Sequence, residues 1–494
     1  MKLKKLLKGL EIKSIRGESN REVLGLAYDS RKVEKDFLFV CLRGHRADGH
    51  DFIPEALERG ATVIITEEDW GGRKDFTQVI VPCSRVALAK VSDNFYEHPS
   101  GRIKVIGVTG TNGKTTTTYF SEAIFKAAGF KVGLVGTINY RWGERVLPAA
   151  NTTPSSLDLQ RMLSEMIKAD CRIAILEVSS HSLDQHRVDG VEFDVGIFTN
   201  LTRDHLDYHG DLSHYLKSKA ILFQKLGERE RTKDPGLALI NLDDRYGRYL
   251  RKITPVEVLT YGLSRRADIR ASRIKLGLTG TSFRVNTPAG SFSLKVKLIG
   301  KGNVYNILSA IGVGISQGVE LGTIKEGLEK IEGVPGRFEL VDAGQEFTII
   351  VDYAHTPQAL ENLLKMSGRM GKGKIITVFG CGGDRDKGKR PLMGRIASRY
   401  SDYSILTSDN PRSEEPGEII RQIQGGFGRR ANYAIVEDRS RAIKEALSRA
   451  GKDDLVIVAG KGHESYQVLK DTVIPFDDRD VVRKILKEKD RIKD

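Results

Sequence analysis

Apolar and polar positions follow one recurring order along the chain: a short apolar run, a turn rich in glycine or polar residues, then an amphipathic helical pattern. FLFVCL (37–42) and TVIIT (62–66) read as strands around the helix-like IPEALERG (53–60). Further strands are predicted at KVIGVTG (104–110), IAILEV (173–178), VGIFTN (195–200) and LALINL (237–242), followed by a β-rich stretch from 256 to 299. A helix is predicted over 303–318, then strands at 347–353, 374–380, 403–408 and 455–460. Such alternation predicts α/β architecture, with parallel sheets covered by helices. Two interruptions divide it. Pro99, Ser100 and Gly101 break the pattern before residue 104, and EGVPGRFE (332–339) breaks it again. Three domains are therefore expected, at 1–98, 99–332 and 333–494.

The composition of the 494 residues, 39% hydrophobic and 29% charged, is globular and excludes a disordered or collagenous chain. Cys41, Cys83, Cys171 and Cys381 are scattered without a CxxC pair, so neither a zinc knuckle nor a disulfide framework is expected. The start, MKLKKLLKGLEIKS, is basic, but Lys8 and Glu11 interrupt its apolar stretch, which argues against a secretory leader. With no run near the roughly 18 apolar residues of a membrane span, a soluble cytoplasmic protein is expected. The net charge of +14 raises a polyanionic partner. Nucleic acid fits poorly: aromatics are only 7%, and basic residues mix with acids, as in RDVVRKILKEKDRIKD (479–494).

Ligands of open parallel sheets bind beyond the carboxyl ends of the strands. There the segment 104–130 offers a strand, the loop GTNGKT and a helix beginning near Lys114. Gly110 and Gly113 allow backbone to approach a phosphate, and the helix N-terminus adds free N–H groups. Lys114 is placed to reach the terminal phosphates and Thr115 to ligate Mg²⁺. The strict phosphate-loop pattern wants glycine at 108, where this chain has Val108, so the shorter form rests on its strand–loop–helix context. ATP binding is the expectation.

Glu177 ends an apolar strand. Alone it reads as a solvated rim residue; beside a phosphate loop it reads as a magnesium carboxylate. His181, His186, His205, His209 and His214 crowd the next segment. Their spacings are not those of zinc binders, and a hard Mg²⁺ held mainly by oxygen with one assisting imidazole suits a nucleotide site better.

GTNGKTT (110–116), NTTP (151–154), EVSSHSLDQHRV (177–188), TNLTRDHLDYHGDLSHYLKSKA (199–220), GRFE (336–339) and DYAHTP (352–357) together resemble the Mur ligase family, in order and over nearly the whole chain. These are ATP-dependent amide-forming ligases of peptidoglycan synthesis and their relatives. CGGDRDKGKRPLMG (381–394), DNPR (409–412) and GKGHESYQ (460–467) resemble the branch that adds meso-2,6-diaminopimelate. The resemblance implies a UDP-binding domain, a P-loop ATPase core and a Rossmann-like C-terminal domain. It also implies a monomer that takes UDP-N-acetylmuramoyl-L-alanyl-D-glutamate, ATP and diaminopimelate through an acyl phosphate.

By the same resemblance, His205 and Lys219 hold a second metal, with Lys219 as a carbamate; read without it, Lys219 is a solvent-facing lysine in a KSK run. ATP would meet Gly110, Thr111, Asn112, Gly113, Lys114, Thr115, Thr116, Asn303, Asn306 and Arg337, with Asp352 near the ribose. The UDP-muramyl dipeptide would meet Tyr28, Ser30, Gly44, His45, Arg46, Ala47, Asn151, Thr152, Thr153, Ser179, Gln185 and Arg187. Diaminopimelate would meet Arg385, Asp409, Asn410, Pro411, Arg412, Gly460 and Glu464, with Arg412 forking onto the distal carboxylate. A sibling ligase adding L-lysine or D-alanyl-D-alanine would share the ATP core and differ in the C-terminal motifs. A catalytically dead scaffold is disfavoured because Lys114, Glu177, His205 and Lys219 are all present.

Overall fold

The structure, a computed structural model, describes residues 1–44, 47–71, 75–228, 235–277, 280–370, 373–429, 431–470 and 472–490. Its strands form a five-stranded, an eleven-stranded and a six-stranded sheet plus a two-stranded ribbon. The five-stranded sheet runs in the order Ser14–Arg16, Thr77–Ile80, Ala61–Thr66, Phe37–Val40, Gly25–Ala27, antiparallel only at its first pair. The predicted strands at 37–42 and 62–66 both lie in it, and the helix expected over 53–60 is Ile53–Glu58.

At the centre of the eleven-stranded sheet, Lys104–Thr109 lies between Ile173–Glu177 and Val195–Phe198, all parallel. The chain winds to both sides of this strand, which creates a crevice at its carboxyl end. Apolar residues explain the placement: Ile106 and Val108 are fully buried against Phe120 and Ile124 of the following helix, Lys114–Ala127. Val108 is thus a sheet residue packing into the core, and the glycine loop begins only after it. The β-rich stretch supplies one antiparallel end of the sheet, Ile269–Gly277, Gly280–Thr287 and Gly290–Val296, and Asn139–Trp142 and Arg145–Pro148 make the other. The predicted 303–318 helix spans Lys301–Ser316 and packs on Lys114–Ala127.

The six-stranded sheet runs Glu339–Leu340, Thr348–Asp352, Leu455–Ala459, Ile375–Phe379, Tyr403–Leu406, Tyr433–Ile435, parallel except for its first strand. The carboxyl ends of its strands face those of the eleven-stranded sheet, as cross-contacts show. Arg337 donates to Thr115 Oγ1 at 3.1 Å, and Arg203 Nε donates to Asp386 Oδ2 at 3.2 Å. Among the described residues no helix is long and apolar enough to cross a membrane.

Candidate functional site

The loop after Thr109 is built for close backbone approach. Gly110 has φ +146°, and a Cβ there would lie 1.9 Å from Thr199 Oγ1; at Gly113, φ +90°, it would meet Asn306 Oδ1 at 2.3 Å. Thr199 and Asn200 brace the loop from the neighbouring strand: Thr199 Oγ1 and Asn200 Nδ2 donate to the Asn112 carbonyl at 2.7 and 2.9 Å. Asn306 is therefore a wall of the loop, and Asn303 sits one turn earlier, donating to the Ile299 carbonyl at 2.8 Å. Thr111 Oγ1 lies 3.2 Å from the Tyr215 hydroxyl. Thr116 is buried within the helix.

Lys114 curls back over the loop, its Nζ donating to the carbonyls of Gly110 and Thr111, each at 2.9 Å. Burial lowers its pKa, opposed by the charges of Glu177 and Asp204. Glu177 is fully buried at its strand end. Its Oε2 accepts from Thr115 Oγ1 at 3.0 Å and Thr137 Oγ1 at 2.9 Å, and its Oε1 from the Thr137 N–H at 2.9 Å. Arg337 reaches the same Thr115 hydroxyl, stacks 4.4 Å over the Tyr353 ring, and keeps a buried Nε with no hydrogen-bond partner among the described residues. An orphaned guanidinium donor beside a phosphate loop suits an anionic ligand.

Lys219 is not solvent-facing. It is 1% exposed, with Nζ 4.4 Å above the Tyr215 ring and donating to the Gly110 carbonyl at 2.9 Å. The KSK run hides this because only one face of the helix Leu212–Lys225 is buried, and Lys219 is on it. Burial first and the Lys114 charge second push its pKa well below the usual lysine value, against Asp204. A neutral amine is the form that adds CO₂.

His205 takes a left-handed backbone, φ +54°, and its Nε2 lies 3.4 Å from Asp204 Oδ2. Burial lowers its pKa to about 3, overriding the pull of Asp204, so its imidazole is neutral. Burial would raise the Asp204 pKa, but interaction with His205, Lys389, His355 and Lys114, the two imidazoles acting only once acid has charged them, brings it below the usual carboxylate range. Asp204 is a site residue that sequence reasoning missed, although it directly precedes His205.

A cavity of about 260 Å³ unites these groups. Thr111, Asn112, Gly113, Lys114, Thr115, Thr152, Glu177 and His205 line it from one sheet, and Arg337, Arg385, Asp409, Asn410, Arg412, Gly460 and Glu464 from the other. Gly110 and Lys219 lie behind the loop, outside that lining. So does Asp352, whose Oδ2 and Oδ1 accept the N–H groups of Phe338 at 2.6 Å and Ala354 at 2.8 Å. It pins the turn carrying Arg337.

On the far wall Arg412 has φ +52°, a strained conformation for a residue with a Cβ, and donates to the Gly383 carbonyl at 2.7 Å. The carbonyl of Pro411 would lie 1.8 Å from a Cβ at Gly383, so the two loops need glycine there. Glu464 Oε2 accepts from Asn410 Nδ2 at 2.8 Å and Lys461 Nζ at 3.0 Å. Lys461, fully buried, was also missed, although it lies inside the GKGHE motif. Asp409 accepts the Asn410 N–H at 2.7 Å; Lys461 and Arg439 hold its pKa low despite burial, which acts the other way and is the largest influence. Arg385 donates to the Asp384 carbonyl at 3.0 Å.

A second cleft, about 430 Å³, opens between the five- and eleven-stranded sheets and is lined by Tyr28, Asn151, Gln185 and Arg187, with Arg85 an addition. Tyr28 donates to Asp158 at 2.8 Å. Arg187 donates to the Thr153 carbonyl at 2.9 Å and to Gln185 Oε1 at 2.6 Å. Thr153 Oγ1 and Ser179 Oγ lie 3.3 Å apart, and Thr152 Oγ1, next to Asn151 in sequence but lining the first cavity, lies 3.1 Å from Thr137 Oγ1. Ser30 instead donates to Glu55 at 2.7 Å and does not line the cleft. Gly44 and Ala47 close a turn through a 2.9 Å backbone bond, also outside the lining, while His45 and Arg46 lie outside the described residues.

The chain has relatives among known proteins. Residues 22–96 match the Mur ligase family catalytic domain, 108–314 the Mur ligase middle domain, and 336–462 the Mur ligase glutamate ligase domain. The chain belongs to the Mur ligase family. A relative from Geobacillus thermodenitrificans, named UDP-N-acetylmuramoyl-L-alanyl-D-glutamate–2,6-diaminopimelate ligase, is 45% identical over 99% of this chain and 100% of its own length. A solved Mur ligase structure of the same name covers 99% of both chains at 32% identity with TM-score 0.68. The Mur ligase fold is shared by MurF ligase from Thermotoga maritima in complex with ADP, at 20% identity, TM-score 0.66, covering 95% of this chain and 98% of that one.

Proposed function

We propose that this Mur ligase joins meso-2,6-diaminopimelate to UDP-N-acetylmuramoyl-L-alanyl-D-glutamate at the expense of ATP, as a cytoplasmic monomer of three domains (1–98, 99–332 and 333–494). One observation carries the reading: a single cavity is lined by both the phosphate loop and the Asn410–Arg412 loop. The full-length relative named for that reaction supports it.

The D-glutamyl carboxylate attacks the γ-phosphorus of ATP, the bond to the bridging oxygen breaks, and ADP leaves. The amine of diaminopimelate then attacks the acyl carbon, loses a proton, and expels phosphate to leave the amide. Both steps bring anions together, so fixed cations and a dry site lower the barrier. Lys114 exchanges its two carbonyl partners for phosphate oxygens. Arg337 closes from the other sheet with its unpartnered Nε. Arg187 and Gln185 orient the dipeptide arm, and Arg412, with Arg385 beside it, receives the distal carboxylate of the incoming amine. Lys461 and Asn410 hold Glu464 toward that amino acid.

The donor set beside the loop fits Mg²⁺: Thr115, Thr137 and Glu177 present converging hard oxygens. A second position would use His205 and a carbamate on Lys219, since an amine offers a hard cation no oxygen. Bound there, Mg²⁺ neutralises phosphate charge.

The test is ADP release with the UDP-muramyl dipeptide and one of three amines: meso-diaminopimelate, L-lysine or D-alanyl-D-alanine. Release with diaminopimelate alone is expected. Turnover with lysine alone overturns the assignment.

A further inference from the structure

The histidine-rich segment does more than its spacing predicts. Asp184 ends the helix Ser180–Asp184, His209 ends Leu206–His209, and His214 lies in the first turns of Leu212–Lys225. Folding brings one ligand atom from each within 4.8 Å of the others. None of the three lines the cavity that holds the phosphate loop.

The hydrogen bonds around them set the nitrogens for coordination. His214 Nδ1 lies 3.0 Å from the carbonyl oxygen of His209. A carbonyl only accepts, so Nδ1 carries a hydrogen and Nε2 is the nitrogen turned toward the other ligands. That Nε2 lies 3.3 Å from Asp184 Oδ1. Two ligands on a tetrahedral zinc, with bonds of about 2.0–2.1 Å, are separated by about the same distance. The other Asp184 oxygen is already held, accepting from the Tyr208 hydroxyl at 2.7 Å. This is the outer-sphere support that orients a ligating carboxylate. His209 is buried, and its Nε2 lies 2.9 Å from Ser180 Oγ, which leaves Nδ1 on the side of Ser218 and Asp184.

We propose that Asp184, His209 and His214 form a binding site for a borderline divalent cation of the Zn²⁺ type, separate from the nucleotide's Mg²⁺. Two imidazoles and one carboxylate select Zn²⁺, Co²⁺ or Ni²⁺ over Mg²⁺. The half-exposed His214 supplies the small adjustment that draws the three ligands together and leaves the fourth position open to solvent. Because Tyr208 also accepts from Gln185 at 3.2 Å, the ion would be tied to the wall of the second cleft.

The experiment titrates Zn²⁺, and Co²⁺ for its visible absorption, into the chelator-treated full chain in excess Mg²⁺. One tightly bound equivalent is expected in the wild type. It should weaken at least about tenfold in His214→Ala and in Asp184→Ala, and persist in His205→Ala. His214 is exposed, so His214→Ala decides the matter alone if Asp184→Ala folds poorly. Absence of stoichiometric binding, binding unchanged in His214→Ala, or binding lost in His205→Ala would overturn the proposal.

Discussion

Lys114 and Lys219 donate to one acceptor, the carbonyl oxygen of Gly110, each at 2.9 Å. Two ammonium groups on one carbonyl repel, and Lys219, the more deeply buried, is the one pushed furthest toward the neutral amine. Phosphate would draw Lys114 away, while Lys219 stays behind the loop.

Lys219→Ala should therefore lower kcat by about 10–100-fold, the scale seen when a metal's supporting group is removed, without matching loss of ATP affinity. Wild-type activity should fall in CO₂-depleted buffer and recover with bicarbonate. Steady-state kinetics with and without bicarbonate check both. Full activity in Lys219→Ala contradicts the carbamate.

Arg412→Ala should raise KM for diaminopimelate by about 10–100-fold, the worth of one charge-assisted hydrogen bond, and leave KM for ATP unchanged. Arg412→Lys should not restore it, because an ammonium lacks the planar fork. Varying each substrate in turn separates the two effects.

How much of this was legible beforehand depended on range. Apolar runs such as 104–109 and 173–177 announce buried parallel strands, and the loop between Thr109 and Lys114 follows from glycine chemistry that is local. Lys219 was legible only by resemblance, because burial of one helix face depends on what packs there. Asp204, Lys461 and Arg203 were missed for a related reason. Lys389 and Asp386, the partners of Asp204 and Arg203, lie in another motif and another sheet. Lys461 has its partner Glu464 three residues on, and what stays hidden there is its complete burial. The metal-like trio is the sharpest case: residues 184, 209 and 214 have no zinc spacing, yet two short helices and the start of a longer one converge there.

Arg203 and Asp386 join the two sheets across the cavity, with Arg203 half-exposed and Asp386 nearly buried. Because water screens the arginine, a double-mutant cycle on Arg203→Ala and Asp386→Asn should give a coupling of only about 0.5–1 kcal/mol in kcat/KM. Additive effects would show that the pair does not assist closure.

Arg439 and Asp478 form a fully buried bidentate pair, at 2.7 and 2.8 Å, and Arg439 also donates to the Ala459 carbonyl at 3.0 Å. Arg439→Ala leaves Asp478 charged and unpaired, and should cost about 3–5 kcal/mol by denaturant unfolding. It should also loosen Gly460, the next residue along.

Stability should fall on acidification. Burial lowers the pKa of His181, His209 and His355 to about 4 and of His205 and His463 to about 3. The unfolded chain takes up protons near 6.5, the folded one only below 4, so the unfolded state binds more protons in between. Unfolding free energy should be fully present above about pH 6.5 and decline toward pH 4, as thermal melts across that range would report. A flat profile contradicts burial of these imidazoles in neutral form.

The most direct test of the ligase account labels the D-glutamyl carboxylate of the UDP-muramyl dipeptide with ¹⁸O and supplies ATP and meso-diaminopimelate. An acyl-phosphate route transfers one carboxylate oxygen to phosphate, so mass spectrometry should find one ¹⁸O in the released phosphate for each amide formed. Unlabelled phosphate, with both heavy oxygens lost to water or retained elsewhere, would contradict it.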